Sequence, residues 1–211
     1  MAESRTYESP RRKKQADETR QAILAAARKL FAERGYAATP LADIASEAGV
    51  SVPTLYTSVG SKAAIALALV EFINQQVDMP ALDVAQESAT TGPELIQAIT
   101  HLVRTLNERA GDLIRVMTSA ALVEPDLVPV AESGRRYHRE GQRVNAARLA
   151  RLGALRDGLS QEQAAAILAT QTSYEVFTLM VVEEGWTYDA VEDWLVDTLS
   201  RLLLAPHEAA Q

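Results

Sequence analysis

Between Thr39 and Lys62 the chain collects groups that make contacts rather than break bonds: hydroxyls at Thr39, Ser51, Thr54 and Thr57, a phenol at Tyr56 and an ammonium at Lys62. Hydroxyls and a phenol donate and accept hydrogen bonds, and an ammonium pairs with phosphate. With the apolar Val52 and Pro53 among them, they form a set suited to reading a nucleic-acid surface, where apolar atoms meet thymine methyls. Covalent chemistry has no comparable set. His101, His138 and His207 stand far apart and none has the H-x-x-x-H spacing of a helical metal site. There is no G-x-S-x-G elbow, phosphate-cradling glycine loop or dinucleotide fingerprint. Cysteine is absent, which excludes thiol catalysis and thiolate metal sites. The chain therefore reads as a binding protein and not an enzyme, with no cofactor.

The contact residues need elements to hold them. Leu41, Ile44, Ala45 and Ala48 fall at i, i+3, i+4 and i+7, one face of a two-turn helix. Thr39 is placed to cap it, with Pro40 at a position that needs no N–H. Gly49 supplies the left-handed turn that stops it. Ser51 caps a second helix that buries Leu55 and Val59 and turns Val52, Pro53, Thr54, Tyr56 and Thr57 outward. A helix–turn–helix whose second helix carries a small, hydroxylated, uncharged face has the form that enters a DNA major groove. An earlier helix from about Asp17, with Ile23, Ala26, Ala27, Leu30 and Phe31 in phase and Gly35 at its end, covers the pair. Ser61 caps a fourth, and Lys62 stands at its N-terminus, where the macrodipole favours an anion beside the cation.

Charge divides at the same place. Residues 1–62 carry 10 Lys+Arg against 7 Asp+Glu, and the remainder 11 against 21, within a net charge of −7. Only the basic head suits a polyanion. Residues 1–16, with Arg11-Arg12-Lys13-Lys14, read as a disordered basic arm, 17–62 as the helix–turn–helix domain, 63–79 as a linking helix and 80–211 as a second domain. In that second domain Pro80 and Ala85–Gly92 read as a connector, and a helix opens at the Thr91/Glu94 capping box. Gly111 separates it from a helix over Asp112–Val123. A long helix follows Pro125 and Pro129, a single helix runs from Ser160 to Glu184, and a last one follows Thr187. The fold class is all-α with about nine helices. The N-terminus lacks an apolar signal segment, and the expectation is a soluble, cytoplasmic protein without a membrane span.

The stretch Thr19–Lys62, with its L-F-x-E-x-G-Y run, I-A-x-x-A-G-V-S, T-L-Y and G-S-K, resembles the N-terminal DNA-binding domain of the tetracycline-repressor (TetR) family of transcriptional regulators. The resemblance implies phosphate contacts from Thr39, Tyr56 and Lys62, with Ser51, Val52, Pro53, Thr54 and Thr57 facing the groove. It implies a C-terminal domain that binds a small-molecule effector and dimerises, here through the last two helices, so that two recognition helices read a palindromic operator in double-stranded DNA. Two positions depart from the common pattern: Val59 where many members have Phe, and Val52-Pro53 where a small or polar residue is common.

Aromatic and sulfur-bearing residues gather late in the chain, and a pocket between helices is apolar with a few polar groups. His101, Arg104, Met117, Tyr137, Gln171, Tyr174, Phe177 and Met180 form the expected effector-lining set. Arg135, Arg139 and Arg143, at i, i+4 and i+8, read as a solvated basic stripe, with reception of an anionic effector as the sharper reading. The reading that competes with an effector-released homodimeric repressor is a ligand-binding or protein-interaction module whose helix–turn–helix packs on a partner rather than on DNA.

Overall fold

The computed structural model describes residues 10–76 and 79–206. Among them the chain is helical with no named strand, and Leu155 and Leu204 form one isolated antiparallel bridge. The helices are α1 (Pro10–Arg34), α2 (Leu41–Glu47), α3 (Val52–Ser58), α4 (Lys62–Gln76), α5 (Met79–Ser88), α6 (Gly92–Ala120), α7 (Val128–Arg151), α8 (Gln161–Gln171), α9 (Tyr174–Phe177, continued as a π-helical turn Thr178–Glu183) and α10 (Tyr188–Leu203). A 3-10 turn, Pro125–Leu127, precedes α7. Contacts divide the chain into two compact units, one up to Phe72 with Val116–Val128, the other Ile73–Arg115 with Pro129 onward.

In the first unit α1 packs on α2 and α3, and those two pack on each other. The periodic residues do what their spacing requires: Ile23, Ala26, Ala27, Leu30 and Phe31 are buried on α1, Ile44 and Ala45 on α2, and Leu55 on α3. Gly35, Gly49 and Gly60 take positive φ of 81°, 68° and 105°, so the turns after α1, α2 and α3 use the conformation that only glycine adopts cheaply. Ser51 accepts from the Thr54 N–H at 3.2 Å, and Ser61 from the Ala64 N–H at 3.2 Å, as caps of α3 and α4. Two ion pairs join α1 to α2, Lys29 Nζ to Glu47 at 2.6 Å and Arg34 to Asp43 at 2.8 Å.

The second unit is built around Leu95, Ile96 and Ile99 of α6, Ala146 and Leu149 of α7, Ala164 and Leu168 of α8, and Leu199 and Leu203 of α10. A smaller apolar cluster joins Val103, Phe177, Val191 and Leu195. Its helix starts follow the sequence closely. Thr91 and Glu94 exchange backbone hydrogen bonds at 3.3 and 3.2 Å, and Ser160 and Gln163 do so at 3.2 and 2.9 Å, each a closed capping box. Thr187 accepts from the Ala190 N–H at 3.1 Å.

Several boundaries differ from expectation, each for a local reason. Residues 10–16 are the first turns of α1 and not a disordered arm. Pro10 opens the helix where it loses no hydrogen bond, and the arginines, lysines and glutamine after it are good helix formers carried by the packed turns beyond; residues 1–9 lie outside the described part. Pro40, not Thr39, is the N-cap of α2, and no side chain closes that end. The connector expected at Pro80 and Ala85–Gly92 is largely α5, with Pro80 in its first turn. Helix α6 runs through Gly111 without a break, because Ala110 and Leu113 on either side are buried, and packing outweighs the ~1 kcal/mol that glycine costs a helix. The single helix expected from Ser160 to Glu184 is interrupted at Thr172–Ser173, where the Thr172 hydroxyl donates back to the Leu168 carbonyl at 2.7 Å and Ser173 turns extended, with ψ of 154°.

Candidate nucleic-acid interface

Helix α3 is only seven residues long, so its stability comes from what it buries. Leu55 is its one fully buried residue, and full burial of a leucine is worth about 1.5–3 kcal/mol. Around that anchor Ser51, Pro53, Thr54, Tyr56 and Thr57 are exposed, Val52 is half-buried and Val59 ends the helix half-buried. Tyr56 is 53% exposed, which sets it on the surface and not within the small domain's core.

The hydroxyls of this face are already oriented. Ser51 Oγ and Thr54 Oγ1 are 2.7 Å apart, and Thr57 Oγ1 donates to the Pro53 carbonyl at 2.7 Å. A threonine whose proton is held by its own helix offers lone pairs outward, and so accepts from an adenine or cytosine amino group. Val52 and Pro53 add apolar surface beside them. The face carries two kinds of group suited to base edges, hydrogen-bond acceptors and apolar surface.

Two of the expected phosphate contacts are placed differently. Thr39 is fully buried, and its hydroxyl lies 2.9 Å from the Gly35 carbonyl and 3.3 Å from that of Leu30. Its side chain therefore locks the α1–α2 turn and offers no oxygen to solvent in this conformation. Lys62 is half-buried at the start of α4, its amine 4.3 Å from the Tyr36 ring centre and donating to the Ala37 carbonyl at 3.4 Å. Burial holds the Lys62 ammonium below its ordinary pKa, with the Glu124 carboxylate acting in the opposite sense. Tyr36 is itself buried, packs with its ring centre 5.1 Å from that of Phe31, and has its hydroxyl pushed upward by burial and then by Glu124. Glu124 is a neighbour that periodicity could not reveal, because it lies in a distant loop.

The eight residues expected to line an effector pocket stand in different surroundings. Phe177 is buried in the cluster with Val103, Val191 and Leu195, and Met180 packs on its edge. Gln171 and Tyr174 are half-buried, Tyr137 is 69% exposed, and buried Met117 belongs to the first unit. Arg104 is held by three carboxylates: Asp189 at 2.6 Å, Glu108 at 2.7 Å and Glu192 at 3.5 Å. Burial alone would lower its pKa, and those carboxylates outweigh it. His101 pairs with Glu192 at 3.1 Å and lines an open groove of about 610 Å³ with Ser88, Thr90, Gln97 and Glu192. Sequence periodicity missed Glu192 and Asp189 because acidic residues on an exposed helix face carry no sign of their partners. Arg143 of the basic stripe pairs with Glu140 at 3.0 Å and Arg136 donates to Ser133 at 3.3 Å, the local pairing of a solvated face.

Residues 23–69 match the family described as bacterial regulatory proteins, tetR family. Over 68 residues the chain is 41% identical to the HTH-type transcriptional regulator TtgR of Pseudomonas putida, and equally to the probable HTH-type transcriptional regulator ArpR of the same species. Those matches cover 32% of this chain and 32% of each relative. Among solved structures, NalD, the secondary repressor of the MexAB-OprM multidrug efflux pump in Pseudomonas aeruginosa, superposes with a TM-score of 0.71 at 20% identity, covering 92% of this chain and 99% of that one. A SmeT–triclosan complex gives 0.65 at 23% identity, over 89% and 92%. The structural likenesses speak to fold, and the N-terminal match speaks to lineage. Residues 23–69 thus carry the DNA-binding region of the tetR family of bacterial regulatory proteins, and the helical fold of the solved structures is matched along most of the chain.

Proposed function

We propose that the protein is a homodimeric transcriptional repressor that binds a palindromic operator through α3 and is released from it by a small-molecule effector. The observation that carries this reading is the α3 face: one buried leucine fixes the helix, and Ser51, Pro53, Thr54, Tyr56 and Thr57 stand exposed beside a glycine turn. The basic charge balance of the same segment supports a polyanionic partner. Lys62 and Tyr56 serve phosphate, Thr54 and Thr57 read bases, and Thr39 supports the site from inside.

The partner copy is expected on the last two helices read from the sequence, α8 with α9, and α10. The stretch Gln161–Glu183 is long and apolar enough to cross a membrane by composition. Its interruption at Thr172–Ser173 instead makes two short helices, and Leu179, Val182 and Trp186 remain exposed near its end. Covering that surface with a second copy gives a two-fold interface and two recognition helices, spaced about 34–36 Å apart or by a multiple of a helical turn. The effector acts in the C-terminal domain, as triclosan is bound by SmeT and choline by a regulator of Saccharomonospora viridis. It releases the operator by binding better to a conformer that cannot span both half-sites. The protein works in the cytoplasm and needs no cofactor.

Selection of bound fragments from sheared genomic DNA tests the reading. A recovered inverted repeat is the expected result, and uniform recovery of all sequences would overturn it.

A further inference from the structure

Lys62 follows the turn that joins α3 to α4, and both ends of its side chain are held. At the backbone, Ser61 caps α4 through the Ala64 N–H at 3.2 Å, and its carbonyl accepts from the Ile65 N–H at 2.9 Å. At the tip, the ammonium lies 4.3 Å from the centre of the Tyr36 ring and donates to the Ala37 carbonyl at 3.4 Å. The side chain thus runs from the α3–α4 turn to the α1–α2 turn, inside the first unit. An ammonium within about 6 Å of a ring centre is drawn to the electron-rich face, and 4.3 Å is well inside that range. Phe31, with its ring centre at 6.0 Å, stands at the edge of it.

The ring beneath the ammonium is a fixed support. Tyr36 is buried, its ring centre stands 5.1 Å from that of buried Phe31, and its carbonyl accepts from the Thr39 N–H at 3.2 Å. Its hydroxyl makes no hydrogen bond of ordinary geometry among the described residues, so the ring face and not the phenol oxygen is what meets Lys62. Lys62 is only half-buried, and an ammonium has three donors, of which the Ala37 carbonyl takes one. The others remain for a partner that arrives from solvent. A lysine held in this way has given up its rotamer freedom before any phosphate arrives, and a contact made by a pre-placed group is stronger for that reason. We propose that Tyr36 is a positioning residue for DNA binding: its ring holds the Lys62 ammonium where a phosphate of the duplex meets it from the solvent side. Tyr36 itself touches no DNA in this scheme. The inference rests on the DNA-binding reading above.

The test uses the full chain and a labelled random-sequence duplex, because a phosphate contact carries no sequence information. Tyr36→Phe is the reference, and phenylalanines with one, three or five ring fluorines placed at position 36 drain electron density from the face while nearly keeping its shape. Affinity is expected to fall stepwise along that series, by about two- to fivefold in all, the scale of one contact between a cation and a ring. In a Lys62→Met background the series is expected to be flat. Equal or rising affinity along the series overturns the proposal, and so does a loss that persists without Lys62, which would be an effect of packing. In DNA-free protein, the Lys62 amine resonance is expected to move towards that of a solvated lysine as fluorines are added; an unmoved resonance also overturns it. If none of the proteins, the parent included, binds duplex at any salt, the DNA-binding reading fails and takes the proposal with it. A flat series in a parent that binds strikes the proposal alone.

Discussion

At the scale of single residues, the interface depends on what each hydroxyl has already committed. Thr57 gives its proton to the Pro53 carbonyl, whereas Thr39 is sealed between the Leu30 and Gly35 carbonyls. Both were legible as hydroxyls in the right segment, but only their surroundings separate a reading group from a supporting one. Thr57→Val removes the outward lone pairs and keeps the shape. It should relax preference at one base position, by the ~1–3 kcal/mol of a good base contact at most, and leave random-duplex affinity unchanged. Binding to a library randomised across one half-site measures this, and an unchanged preference would exclude Thr57 from readout.

At the scale of elements, the helix starts were written in the sequence because a cap is a property of four adjacent residues. Glu94 accepts from the Thr90 N–H at 2.8 Å, the Thr90 hydroxyl at 2.9 Å and the Thr91 N–H at 3.2 Å, and these bonds hold its carboxyl below the ordinary range. A carboxyl whose folded pKa is depressed adds stability above its unfolded value, and that stability is lost as pH falls through the folded one. The melting temperature of Glu94→Gln should therefore lie below that of the parent at neutral pH; the gap should begin to close near the unperturbed glutamate value of about 4.3 and vanish only below the depressed folded one. A gap that stays constant with pH would mean the charge is not what the cap uses. Helix ends were less legible where packing decided them. Gly111 lies inside α6 because its buried neighbours carry the helix across it, and α8 stops where the Leu168 carbonyl accepts from both the Thr172 N–H and the Thr172 hydroxyl before Ser173 turns extended.

At the scale of the whole molecule, the proposed two-fold interface draws on the exposed surface of α9 and the residues after it. Leu179 is 48% and Val182 58% exposed, values that leave a contiguous apolar stretch wet in a lone protomer. Val182→Glu adds a charge at an exposed position, where substitutions shift protomer stability by about 0.5 kcal/mol or less. It is expected to give a folded monomer by sedimentation and circular dichroism, with operator affinity sharply reduced because two half-sites are no longer engaged together. A variant that remains dimeric would move the interface elsewhere.

The sequence by itself determined the all-α class, most helix starts, the glycine turns and the outward face of α3. Each of these is encoded by residues within two turns of one another, so capping oxygens, glycine backbones and a 3.6-residue period suffice to read them. Only the tertiary structure decided that Thr39 is internal, that Arg104 belongs to three carboxylates and that Lys62 leans on the Tyr36 ring. Those facts depend on contacts between segments far apart in the chain, where a charged or polar residue carries no local mark of the partner that folding brings to it.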